Sequence, residues 1–323
     1  MTALVPLTPD APGVAAPMPS YGGYPALKPS VYGLLVALYI FIGGAAGSVQ
    51  IVATMIDAAG PAGTESVVLA GRLFALGGAI AGGILLIVEL HTPQRFYNML
   101  RIFRPTSPMS IGTYVLTGFG FFSLLALAGH ALDWHWLAFT GGVLASLLGV
   151  LMACYPAALL SATSTPLWSA APRLLAVRFG AASMASGSAV LCIAALWLLP
   201  SLRVAALAAA AAAVSLLVEL TAALLARRAY AQGGLDGALR GRYGLAHLGA
   251  ELLSLTAVVL YVLVGIFDAA AIPLMVVASI CVLTGGLAMR DSVLRAGNES
   301  ARRPEDYFRL ASDTRVTERG GAA

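Results

Sequence analysis

Eight stretches of the chain are apolar almost without a break, at residues 31–55, 67–90, 111–132, 137–162, 179–199, 204–226, 243–267 and 270–289, and polar residues gather between them. Each run reaches the roughly 20 residues that a helix needs to cross about 30 Å of hydrocarbon. The pattern predicts an all-α integral membrane protein with eight transmembrane helices. Composition agrees, since 59% hydrophobic residues, 11% charged ones and a mean hydropathy of +0.87 are too apolar for a soluble globule of this length.

The polar stretches set the expected orientation. The segment 89–112 carries Arg95, Arg101 and Arg104, and moving such charge across a bilayer during insertion is unfavourable. With eight spans, both termini and the second, fourth and sixth loops share one side, and that side holds seventeen of the 19 basic residues. Arg72 and Arg203 alone fall on the other. Both termini are therefore expected in the cytoplasm. The net charge of +4 is explained by this asymmetry, and without aromatic-basic interleaving it gives no footprint for nucleic acid. Cys154, Cys192 and Cys281 lie singly within apolar runs, with no Cys-x-x-Cys spacing, so they build neither a disulfide framework nor an iron–sulfur cluster. Any redox centre is expected in a partner.

Residues 1–30 contain seven prolines and one basic residue, Lys28, and read as a Pro-rich cytoplasmic tail in place of a cleaved signal peptide. The expected organisation continues with a first four-helix bundle at 31–162, a cytoplasmic connector at 163–178, a second bundle at 179–289 and a polar cytoplasmic tail at 290–323. Small residues allow close helix approach in lipid, and the pairs Gly43/Gly47, Gly78/Gly82 and Ser183/Gly187 supply them at four-residue spacing. Pro156 frees a backbone carbonyl inside the fourth run and is expected to kink it near Tyr155. The alanines between Ala205 and Ala213 point to close neighbours around the sixth.

Several motifs share one resemblance. Glu89-Leu-His-Thr-Pro-Gln-Arg-Phe leads out of the second run and Ser107-Pro-Met-Ser-Ile-Gly112 leads into the third. Tyr39 with Gly43 and Gly44, Tyr155 to Ser161 with Pro166-Leu-Trp168, Ser183-Met-Ala-Ser-Gly187 and Gly285-Gly-Leu-Ala-Met-Arg290 extend the set over most of the chain. In these features the sequence resembles the NrfD/PsrC family, membrane subunits of polysulfide reductase-like complexes. His91 stands where that family more often has Gly, and Pro156 where it more often has a small residue. The resemblance implies two four-helix bundles without haem or metal, exchanging electrons between a membrane quinone, menaquinone or ubiquinone, and an iron–sulfur partner subunit. A catalytic subunit, a molybdopterin enzyme in one form, would complete the assembly.

Ionisable groups at membrane depth cost about 2.5–3.5 kcal/mol each on insertion scales, so those present are functional candidates. They fall into two layers. The outer one comprises Gln50, Asp57, Arg72, His130, Asp133, His135 and Asp268, and its bland reading is a solvated interface. A quinone carbonyl needs a hydrogen-bond donor and its chemistry needs a proton acceptor near neutral pH, so His130, Asp133, His135, Arg72 and Gln50 are the expected quinone ligands. The inner layer comprises Tyr155, Glu219 and Glu251, each on the order of 10 Å from a helix end, with His247 one turn from Glu251. With Glu89 and His91 nearer the surface, these residues are the expected proton path. The bland alternative is a polar clasp between helices. Glu219 and Glu251 are expected to meet in an apolar site, where at least one would stay protonated. The four histidines sit near opposite helix ends and offer no mid-membrane pair for haem.

The sequence thus points to a multi-pass subunit of a respiratory oxidoreductase in the bacterial inner membrane, catalytic only within its complex. The rivals are a secondary transporter built on the buried carboxylates, which would show broken helices in both halves, and a structural anchor, for which the polar layers would be dispensable.

Overall fold

The computed structural model describes residues 32–60, 63–89, 101, 104, 107–198, 202–240, 242–306 and 308–309. Among them, eight helices are long and apolar enough to cross a membrane. They are α1 (Leu34–Ala59), α2 (Glu65–Glu89), α3 (Pro108–Ala131), α4 (His135–Ser161), α6 (Pro172–Leu198), α7 (Leu202–Gln232), α8 (Arg242–Val264) and α9 (Ala271–Arg302), with a short helix α5 (Pro166–Ser169) between the halves. The described chain contains no strand.

The first four helices close on themselves, α1 against α2 and α4, and α3 against α2 and α4. The last four repeat the arrangement, α6 against α7 and α9, and α8 against α7 and α9. α1 and α6 join the two halves and are the most buried of the eight. Their sequences explain this. Gly43 to Ser48 of α1 and Ala185 to Ala189 of α6 are all buried, and both stretches consist of small residues. A Cβ on Gly44 would collide with Ser183 Oγ, and one on Gly187 would stand 2.6 Å from Ser48 Cβ. Between α1 and α4 the approach is as close, since a Cβ on Gly47 would meet the Gly149 carbonyl oxygen at 2.6 Å. Gly78 meets Ala46, whereas nothing described lies within 4 Å of a Cβ on Gly82, so only the first member of that pair packs as expected.

Large apolar side chains, Leu207, Leu224, Leu245 and Leu147 among them, point outward, as helices solvated by lipid require. Trp134, Trp136 and Trp197 are 60%, 79% and 82% exposed near one end of the bundle, where amphipathic rings mark a membrane–water boundary.

Three helices outrun their apolar sequence. α6 begins at Pro172, inside the expected connector, α7 continues to Gln232, and α9 continues through the expected tail to Arg302. The reason is burial against protein. Ser292, Val293, Leu294, Ala296 and Ala301 of α9 are covered, and Trp168 of α5, itself fully buried, donates its indole N–H to the Val293 carbonyl at 3.0 Å. Beyond α9, buried Asp306 accepts from Ser300 at 3.0 Å, and burial pushes its carboxyl above the usual range. α4 runs unbroken through Pro156, which is buried.

Candidate functional site

The turn between α3 and α4 builds the outer site. Trp134 N–H donates to the Gly129 carbonyl at 2.8 Å and Leu132 N–H to Ala128 at 3.0 Å, closing α3. Asp133 takes up the slack with φ +54°, a left-handed conformation that Asp tolerates better than most residues. Gly129 makes the tightness possible, since a Cβ there would overlap the Ala138 backbone. This short turn sets His130 and His135 on two sides of one cavity of about 350 Å³, with Asp133, Asp57, Glu65 and Arg72 in its walls. Ligand pockets range over about 300–1,000 Å³, so the size suits a ring-sized head group.

Arg72 is 0% exposed and its Nη2 donates to Asp57 at 2.7 Å. Its Nε and Nη1 have no partner among the described residues, leaving two buried donors on a residue that lines the cavity. Asp57, Glu65 and Asp133 outnumber Arg72, so the cavity carries excess negative charge when its histidines are neutral. Gln50 does not join it. Two turns deeper on α1 and 0% exposed, Gln50 donates to Thr54 Oγ1 at 3.1 Å, and Ser146 of α4 reaches the same hydroxyl at 3.1 Å. The structure gives Gln50 a place in the seam between α1 and α4, apart from the cavity.

The inner layer is organised by a residue assigned from sequence to the connector. Arg178 lies on α6, 3% exposed, and its guanidinium donates through Nε to Glu219 Oε1 at 2.9 Å and through Nη2 to Glu251 Oε1 at 3.3 Å. Arg227 closes on Glu251 Oε2 at 2.7 Å. The two carboxylates therefore do not share a bare apolar site. Each has a guanidinium partner. Arg178 Nη1 also lies 2.9 Å from His247 Nε2. Guanidinium only donates, so Nε2 accepts and the proton sits on Nδ1, 3.1 Å from Ser292 Oγ, whose hydroxyl donates onward to the Met289 carbonyl at 2.8 Å. His247 is thereby neutral, and its 3.4 Å approach to Glu251 is not a hydrogen bond. A cavity of about 440 Å³ opens beside this network, walled by Arg227, His247, Leu248 and Arg240. On its rim the Asp236 carboxyl is held below the usual range by the hydrogen bond from Arg240.

Tyr155 stands apart from this group. Its ring packs on Gly112, where any Cβ would overlap it, and its hydroxyl donates to the Pro108 carbonyl. Although α4 also packs on α6, Tyr155 faces the first half of the molecule, beside Tyr39 and Gly112. Glu89 ends α2, half-buried, and is likewise not brought to Glu219 or Glu251. His91 lies outside the described residues. Sequence reasoning missed Arg178 and Arg290 as membrane-depth groups. Arg290 ends the Gly285-Gly-Leu-Ala-Met-Arg motif and Arg178 stands five residues before Ser183, and those positions were the available signal. Among the described residues no group of three or more His, Cys, Asp or Glu side chains is placed to hold a metal ion.

The eight apolar helices and the two buried polar sites define a multi-pass membrane protein with charged side chains buried among its spans. Residues 25–300 match the family described as polysulphide reductase, NrfD, and the chain belongs to that family, whose members are membrane subunits of reductase complexes. No curated protein matches this chain.

Proposed function

We propose that this protein is the quinone-reactive membrane subunit of a respiratory oxidoreductase complex in the bacterial inner membrane. It binds quinol or quinone in the outer cavity and exchanges electrons with an iron–sulfur subunit that serves a catalytic, molybdopterin-type partner. The observation that carries this reading is the meeting of His130, Asp133 and His135 with the Asp57–Arg72 pair around one cavity. A bound quinone supplies two-electron chemistry coupled to two protons. Arg72, fixed by Asp57, offers its two free donors to a carbonyl or hydroxyl oxygen. His130 takes or gives the proton, as an imidazole does near neutral pH, with Asp133 beside it in the cavity wall. The inner network, open through Arg227 to the second cavity, is the proton path on the cytoplasmic side, with both termini there. The transporter reading loses support because α4 is continuous through Pro156.

The test is quinol turnover by the assembled complex, purified from its native membrane in mild detergent. His130→Ala and Arg72→Ala are expected to lower turnover about 100-fold, the scale of a lost acid–base or binding group, while Gln50→Ala stays near wild type. Wild-type turnover in all variants of Arg72, His130, Asp133 and His135 moves the site elsewhere. In sealed vesicles, Glu219→Gln and Glu251→Gln are expected to reduce charge movement per quinol. Unchanged charge movement in both leaves only a clasp between helices.

A further inference from the structure

The inner network and the outer cavity lie toward opposite ends of the bundle, and a file of small polar groups runs between them. Ser183 and Ser186 of α6 and Ser48 of α1 are buried along the seam where the halves meet, and Gln50 and Thr54 of α1 continue the line in the seam with α4, with half-buried Ser146 of α4 beside them. Ser183 adjoins Gly44, Gly187 adjoins Ser48, and Thr54 donates toward the Gly142 carbonyl at 3.3 Å. From Gly44 to Asp57 this file climbs about 20 Å along α1 at 1.5 Å per residue. Ser48 Oγ, Ser188 Oγ and Gln50 Oε1 have no partner among the described residues, and buried polar atoms of this kind are commonly met by water in folded proteins. Such a file can carry protons, so it can also leak them.

Arg290 stands where the file meets the inner network. It is 0% exposed, its Nη1 donates to the Gly286 carbonyl and its Nη2 to Ser183 Oγ, both at 2.8 Å, and the rings of Phe41 and Phe179 lie 5.3 and 5.9 Å from its guanidinium carbon. Its Nε has no partner, and among the described residues no carboxylate forms a salt bridge with it. Glu219 acts on it electrostatically without touching it, through a carboxylate whose Oε2 is itself unpartnered. Among the described residues Arg178, Arg227 and Arg290 face Glu219 and Glu251, which leaves one cation in excess.

A fixed positive charge in a narrow polar path raises the energy of any proton or cation passing it. We propose that Arg290 is an electrostatic barrier that stops protons from running freely between the inner network and the outer cavity. This rests on the proton-path reading given above and assigns the control of that path to one residue. Proton movement is then confined to turnover, and the membrane stays sealed at rest.

The test uses the assembled complex in sealed vesicles with an imposed potassium diffusion potential, no quinol, and a pH-sensitive dye inside. The wild-type complex is expected to be tight. Arg290→Gln, which keeps donors for Ser183 and Gly286, and Arg290→Met, which replaces a buried charge by an apolar group of similar length, are expected to raise passive proton entry about tenfold, the change that removing about 1.4 kcal/mol of barrier gives. Replacement of buried ionic groups by apolar ones is often tolerated, so the Met variant provides an assembled complex if the Gln variant does not. Arg290→Lys keeps the charge and is expected to stay tight. Neutral variants as tight as wild type overturn the proposal, and so does a Lys variant as leaky as the neutral ones, which assigns the effect to packing. Because no quinol is present, this outcome is independent of the coupling reading, whose own failure appears as a wild-type complex that turns over without moving charge.

Discussion

Arg178 gives its nitrogens to Glu219, Glu251 and His247, and removing it strands the Glu219 carboxylate and a buried imidazole in the second half of the molecule and leaves Glu251 to Arg227. Breaking a buried ion pair by deleting one partner typically costs about 3–5 kcal/mol, because the remaining charge is uncompensated. Arg178→Met is therefore expected to lower the unfolding midpoint of the detergent-purified protein markedly. Adding Glu219→Gln to it is expected to recover part of the loss, as coupled neighbours do. A single variant that melts with wild type would mean that the network adds nothing to stability. Residues such as Arg178 and Arg290 were hard to place from sequence for a physical reason. Each stands at the edge of an apolar run, where an arginine marks either the start of a loop or a buried charge satisfied by other helices, and hydropathy along one chain does not distinguish the two. Glu219 and Glu251, well inside their runs, had no such alternative and were found at once.

At the scale of helices, the spans were legible because lipid imposes one length and one polarity on them all, and the observed ends differ chiefly where α6, α7 and α9 continue against protein. Which face each helix turns inward was less legible. Gln50 and Tyr155 lie against neighbours other than those expected, since small residues surround both helices and give little periodic signal. Glycine contacts now supply that information. On α1, Ala at position 47 would push a methyl into the Gly149 backbone, which cannot rotate away, so Gly47→Ala is expected to destabilise by about 1–3 kcal/mol. On α8, nothing lies within 4 Å of a Cβ at Gly249, so Gly249→Ala is expected to be neutral or to gain up to about 1 kcal/mol from helix propensity. The pair is compared by thermal unfolding in one detergent. Equal effects at the two positions would remove the α1–α4 contact as a constraint.

For the molecule as a whole, the arginine distribution predicts which end faces the cytoplasm. Leu132, 70% exposed in the α3–α4 turn, and exposed Ala231 at the far end of α7 report opposite sides. Leu132→Cys in intact cells is expected to react with a membrane-impermeant maleimide, and Ala231→Cys only after the membrane is opened. The reverse pattern would invert the proposed topology. In the proposed orientation, the three guanidiniums against two carboxylates within and the three carboxylates against one guanidinium without make the protein a fixed electric dipole, positive toward the cytoplasm. A respiring membrane is negative on that same side, and a unit charge carried across it changes energy by about 2.3 kcal/mol per 100 mV. The field therefore draws each excess charge toward the end it already occupies, so that the voltage built by respiration steadies the charge layout of the subunit instead of straining it.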